Sequence, residues 1–251
     1  MLTQRIGRRR TLLVAIATFL CLAVLLLDTE RGSVLVNYVR TKLSGGYTLT
    51  ERLEMHAAGV EQRLQPAFTV AGLAYPPSEV AYVAIKQQRA LHVYARQKDD
   101  DAWTYVRTYP VLAQSGRLGP KLREGDRQVP EGIYHAEFLN PNSLYHLSIR
   151  LNYPNATDQA AARADGRENL GSDIMIHGSN VSIGCLAVGN EASEDLFVLA
   201  ALVGKERVRV VIAPVDFRLP GAQSPEAERP WIPSLYATLA RELATFPIGG
   251  Q

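Results

Sequence analysis

From Tyr75 onward, apolar and polar positions alternate with the period of a β-strand. The runs "VAYVAIK" and "ALHVYAR", separated by "QQR", predict a hairpin, and "WTYVRTYPVL" predicts a third strand. Two more strands follow in "GIYHAEFL" and "YHLSIRLNYP". In the second of these, Leu147, Ile149 and Leu151 share one face, while His146, Ser148, Arg150 and Asn152 share the other. "RVRVVIAP" closes the series. Helical spacing occurs in three places. Leu49, Leu53, Val60 and Leu64, after a start signal at Thr50, predict one or two helices that end before Pro66. "NEASEDLFVLAALVG" reads as a helix capped by Asn190 and stopped by Gly204, and "SLYATLARELATF" as a last helix behind a Pro-rich run. The polar stretch "NATDQAAARADGRENLG" between strands is either a lid over a site or a short surface helix. Many short strands with few helices predict a mainly β (α+β) fold, a sandwich or open barrel with peripheral helices.

One segment breaks the pattern. Thr11 to Leu27 is 17 residues without a charge, preceded by Arg5, Arg8, Arg9 and Arg10. At the helical rise it spans roughly 25 Å, the short end of membrane-crossing length. The arginines place the tip in the cytoplasm and the rest outside, an uncleaved single-pass anchor in a bacterial inner membrane with an exterior or periplasmic domain. No small-x-small site follows closely, so secretion after signal cleavage is the alternative. The expected organisation is 1–30 tip and transmembrane anchor, 31–74 helical stalk or outer packing element, 75–216 catalytic domain, and 217–251 Pro-rich segment and helix.

Charge and cysteine count narrow the function. Of 27 basic and 25 acidic residues, four basic and no acidic ones precede residue 28, which leaves 23 against 25. That balance gives no reason to expect a nucleic-acid partner. Apart from Cys21 in the apolar run, Cys185 is the only cysteine. In an oxidising exterior an unpaired thiol is a buried filler, half of an intermolecular disulfide, or a nucleophile.

The surroundings of Cys185 favour the last. "DIMIHGSNVSIGCLAVG" carries a strand-like run ending on His177, turn formers at Gly178, Ser179 and Asn180, and Gly184 before the thiol. Eight extended residues would separate His177 and Cys185 by roughly 27 Å, so the chain must reverse between them. An imidazole beside a thiol can take its proton and make the thiolate that attacks an acyl carbon. Backbone N–H groups near Gly184 could hold the oxyanion. No C-x-x-C or H-x-x-x-H occurs, so neither a metal nor a cofactor is expected, and His56 is assigned no chemistry. The competing reading makes Cys185 a small core residue and His177 a core histidine bonded to a carbonyl. His135 and His146 are weaker bases.

"IHG" followed by "SIGC" resembles the signature of the L,D-transpeptidase (YkuD) family, and "PKLREGDRQVPEGIY" resembles that family's upstream loop and strand. The likeness covers roughly Val80 to Pro214. It implies a YkuD-like mainly β catalytic domain, Cys185 as nucleophile, His177 as base with the Gly178 carbonyl orienting its ring, and Ser182 and Gly184 shaping the oxyanion site. It also implies peptidoglycan stem peptides as substrate, with a thioester formed at the diaminopimelate carbonyl. Ile183 replaces a second histidine, and "CLAV" lacks the arginine that usually follows the cysteine. Arg150, Lys121, Arg123, Arg163 or Arg167 could supply that charge, with Arg150, beside His146, favoured; Ser179 and Asn180 are further substrate contacts. A hydrolase acting on diaminopimelate-linked peptides and a non-catalytic wall-binding scaffold are the alternatives.

Overall fold

The structure, a computed structural model, describes residues 45–98 and 102–249. The apolar run at 11–27, and with it the expected anchor, lies outside the described residues. Among the described residues, no helix is long and apolar enough to cross a membrane.

The first helix, α1 (Leu49–Val70), starts two residues earlier than the Thr50 signal suggests. Thr48 is its N-cap and closes a capping box with Glu51. The helix also continues through Pro66, where the sequence predicts a stop. Val60, Leu64 and Phe68 recur at i, i+4 and i+8 and are fully buried. Burying the last of them, roughly 1.5–3 kcal/mol, offsets much of the penalty of roughly 3 kcal/mol for an interior proline.

Eight strands form: β1 (Glu79–Ile85), β2 (Ala90–Arg96), β3 (Thr104–Pro110), β4 (Gly132–Ser143), β5 (His146–Leu151), β6 (Met175–His177), β7 (Leu186–Ala187) and β8 (Val208–Ala213), of which the two-residue β7 and the last part of β4 are not expected from the hydrophobic pattern. They form one sheet in the order β3-β2-β1-β8-β4-β5-β6-β7. The fold is mainly β with peripheral helices, but one continuous sheet replaces the two stacked sheets of a sandwich. The long strand β4 makes this possible. Its first residues pair with β8 and its later ones with β5, with irregular register between Ala136 and Phe138 and between Asn140 and Ser143. Such irregularities bend a strand, so β4 serves both halves. The parallel pairs are β1 with β8 and β6 with β7.

Each face of the sheet has a core. Val80, Tyr82 and Ala84 join α1 and α3 (Asn190–Val203) on one side, while Ala81, Val83 and Ile85 join α4 (Ile232–Leu243) on the other. Strand β1 is therefore apolar at both parities, as a strand covered on both faces must be. The polar stretch after β5 forms α2 (Ala156–Ala164), bolted down by its Asn155 capping box and by Tyr134 Oη donating to Asp158 Oδ1 at 3.1 Å. Burial pushes Asp158 up to about 6.

The Gly/Pro-rich loop before β4 is a hydrogen-bonded knot. Asp126 accepts from the N–H groups of Leu122, Arg123 and Gln128 and from Lys121 Nζ at 2.6 Å. Deeper in, Lys86 Nζ donates to Glu131 Oε1 at 2.8 Å and to the carbonyls of Val129 and Gly119. Tyr236 Oη donates to the other Glu131 oxygen, so this buried pair is satisfied on both sides.

Candidate active site

Strand β6 has only three residues, and both neighbours matter. Ser148 and Arg150 of β5 pair with His177 and Met175, and Ala187 of β7 pairs with His177. Directly paired residues point to one face, so Arg150, Ser148, Met175, His177 and Ala187 share it. Cys185 stands two residues before Ala187 and extends that face beside Met175, whose backbone N–H reaches the thiol. The loop between His177 and Leu186 does more than reverse the chain: it brings it back so that β7 runs parallel to β6. A parallel return normally needs a long crossover. Strands this short let eight residues suffice, with Ser179 at φ 66° and Gly184 at φ 122°. Gly184 is required by that backbone angle as well as by access to the thiol.

The histidine is held tightly. His177 is 2% exposed, and its Nδ1 lies 2.6 Å from the Gly178 carbonyl oxygen. A carbonyl only accepts, so Nδ1 carries the proton and Nε2 of the neutral ring is the basic nitrogen. Burial lowers the His177 pKa, partly opposed by the Gly178 bond. The Tyr145 ring packs 4.8 Å from the imidazole. Gly178 has no room for a side chain: a Cβ would lie 2.6 Å from Asn190 Oδ1 and 2.7 Å from the Tyr145 carbonyl. Gly178 N–H donates to the Leu147 carbonyl, and Ser179 N–H donates to Asn190 Oδ1 at 2.9 Å. Asn190 is thus not the cap of α3, where Gly189 takes that place; its side chain pins the loop behind the histidine instead.

The half-buried Cys185 is a free thiol. Its Sγ lies 3.6 Å from the Asp173 carbonyl oxygen. Burial pushes the thiol pKa up, opposed by the Met175 N–H and helped by the Asp173 charge, with Lys121 pulling the other way. The resting pair is therefore neutral thiol and neutral imidazole. The N–H groups of Gly184 and Cys185 are both directed at Ser182 Oγ, at 3.3 and 3.1 Å, while that hydroxyl donates to the Cys185 carbonyl at 2.6 Å. Ser182 organises the nucleophile turn, and the oxyanion donors proposed from sequence point at it in this state.

Among the basic candidates, Lys121 is the one whose charge acts on the Cys185 thiol, and Arg150 is the one paired with Asp173, whose carbonyl the thiol faces. Arg150 meets Glu137 at 3.0 Å and Asp173 at 3.5 Å. Lys121 and Arg167 are engaged with Asp126 and Asp165 respectively, and Arg123 and Arg163 are exposed side chains on the loop and on α2. Ser179 is buried, with its backbone in the loop hinge, and Asn180 is exposed beyond it. His146 sits away from the thiol: its Nε2 lies 2.8 Å from Glu194 Oε1. His135 is on the exposed parity of β4, outside this cluster. Tyr145, Asn190 and Asp173 had no signature in the sequence. Their roles come from contacts across 32, 11 and 12 positions that no local pattern encodes.

The chain matches the L,D-transpeptidase catalytic domain (YkuD) over residues 78–212 and belongs to that family. It is 40% identical over 147 residues to Escherichia coli (strain K12) YafK, named provisionally as an L,D-transpeptidase, covering 56% of each chain. The chain thus spans about half the length of the curated relatives it matches. Among solved structures it is similar to the helical cell shape determining protein Pgp2 of Campylobacter jejuni, at 25% identity and TM-score 0.42, over 55% of this chain and 49% of that one. It is also similar to L,D-transpeptidase 1 of Mycobacterium tuberculosis, at 16% identity and TM-score 0.31, over 54% and 62%.

Proposed function

We propose that this protein is a cysteine acyltransferase acting on peptidoglycan stem peptides, a murein L,D-transpeptidase. The observation that carries the reading is the orientation of His177: its Nδ1–H is committed to Gly178, which leaves Nε2 as base on the sheet face that Cys185 extends. Cys185 passes its proton to Nε2, and the thiolate attacks the diaminopimelate carbonyl. The tetrahedral oxyanion displaces the Ser182 hydroxyl from the N–H groups of Gly184 and Cys185. Collapse expels the amine of the next residue, which takes the proton from His177, and leaves a thioester. An acceptor amine then loses a proton to His177 as it attacks, and the thiol is restored. Arg150 pairs with a substrate carboxylate, in place of the arginine that "CLAV" lacks. The apolar run at 11–27 holds the domain on the outer side of the inner membrane.

The test uses the purified full-length chain in mild detergent, incubated with muropeptides with and without an added D-amino acid, and read by mass. Exchange or new cross-links are expected. A gain of water alone would make the enzyme an L,D-hydrolase. No change on any substrate, or unchanged products from Cys185→Ala protein, would overturn the acyl-enzyme and leave a wall-binding scaffold.

A further inference from the structure

A second cluster lies on the other side of Gly178. His56 comes from α1, His146 from the start of β5, and Glu194 from the second turn of α3. Their ligand atoms all lie within 4.8 Å of one another. His146 Nε2 is 2.8 Å and His56 Nδ1 3.4 Å from the same oxygen, Glu194 Oε1. The two rings meet edge to face, with centroids 5.6 Å apart, so their nitrogens converge on one point.

This arrangement leaves the hydrogen bonding incomplete. His146 takes the carboxylate at good distance, while His56 Nδ1, at 3.4 Å from the same oxygen, is too far for a good bond. The ring nitrogen of His56 that faces the carboxylate is therefore placed for a cation standing between the three side chains.

We propose that His56, His146 and Glu194 bind a divalent transition cation of the zinc class. Two imidazoles and a carboxylate form a recognised zinc donor set, with the fourth position left to water. At zinc bond lengths, tetrahedral ligands stand ~3.3 Å apart, so the present spacing needs only small side-chain movements. The second Glu194 oxygen accepts from Arg63 Nη2 at 3.1 Å, and Arg63 Nε donates to Asp195. That bond fixes the carboxylate and leaves Oε1 for the metal. Arg52, the other nearby cation, directs its Nε to the Pro141 carbonyl and its guanidinium over Tyr47. The positive charges of Arg52 and Arg63 limit the affinity, while Glu194, Asp195 and Glu191 offset them. Calcium and magnesium, which take oxygen ligands, are poorly matched.

The location gives the metal a purpose. A Cβ on Gly178 would lie 2.9 Å from the His146 Cβ, so the site stands directly behind the carbonyl that orients His177. A bound cation would staple α1, which lies outside the matched catalytic domain, to β5 and α3. It would brace the histidine loop without touching the reacting atoms.

Full-length protein dialysed against chelator and then against Zn2+ should retain one equivalent by elemental analysis. Its melting temperature should rise by about 5–10 °C at a hundredfold excess over Kd. His56→Ala and Glu194→Gln should each abolish both effects, whereas Cys185→Ser should keep them, which separates this site from adventitious binding to the thiol. Cobalt(II) in the unaltered protein should give the intense visible bands of a tetrahedral site without a thiolate charge-transfer band, a readout that needs no variant. Substoichiometric zinc, a thiolate band, or binding that survives His56→Ala would overturn the proposal, and none of these results depends on whether Cys185 is a nucleophile.

Discussion

The two ends of the sheet are built to different standards. Strands β1, β2 and β8 are six or seven residues long and nearly wholly buried, with an apolar core on each face. Strands β6 and β7 have three residues and two, and carry His177 and, just before β7, Cys185. The first region is held by area; the second is held by particular hydrogen bonds to Gly178, Ser179 and Ser182. Packing spreads its stabilisation over many contacts, whereas a reactive thiol–imidazole pair would depend on the placement of a few atoms and on little area.

The contrast can be broken at its strongest point first. Phe197, fully buried in the core under α3, should cost about 3–5 kcal/mol when replaced by alanine, measured as a shift of the urea midpoint. Cys185→Ala should leave that midpoint almost unmoved while removing all product. If both variants unfold alike, the two regions are one cooperative unit and the distinction fails. Gly178→Ala comes next, because the added methyl meets a backbone carbonyl at 2.7 Å. It should destabilise by about 1–3 kcal/mol and lower kcat roughly 10–100-fold, a double effect expected of a residue that serves both structure and site. A variant with full kcat would show that the loop does not position His177.

Protonation sharpens the picture further. With the thiol raised above its ordinary 9.0, alkylation of Cys185 by iodoacetamide should still be increasing beyond pH 9; a plateau below neutrality would reveal a thiolate–imidazolium pair instead. With His177 lowered below 6.5, the acid limb of kcat/KM in free enzyme should have its midpoint under that value. The same shift fixes the sign for stability. The neutral buried ring contributes fully above the unfolded value of 6.5, and that contribution is lost as pH falls towards the folded value. The smallest effect is expected at Ile183, which is 76% exposed on the loop. Ile183→Ser should change stability by no more than about 0.5 kcal/mol. A several-fold rise in KM would place this apolar tip against the substrate, and an unchanged KM would make it a bystander.

Periodicity located seven of the eight strands because burial on a pleated sheet repeats every two residues, and it located α3 and α4 because their apolar stripes repeat at helical spacing; it missed β7, whose two residues are too few to show a period. It misplaced the end of α1 because the value of burying Phe68 depends on a partner surface far along the chain. It left open whether the fold was a sandwich or an open barrel because that turns on β4 pairing with both β8 and β5.

The same division holds for the chemistry. His177, Cys185 and the glycines between them stood out as candidates because a histidine, a turn and a cysteine lie within nine residues, and "IHG" with "SIGC" carried the family likeness. By itself the sequence determined a mainly β chain with one thiol outside the apolar run at 11–27 and one histidine close to it. Only the tertiary structure decided which ring nitrogen is basic, that Asn190 braces the loop instead of capping its helix, and that His56, His146 and Glu194 meet. Hydrogen-bond direction and three-element convergence are properties of distances in space, and residues 56, 146 and 194 acquire a common distance only when α1, β5 and α3 are packed together.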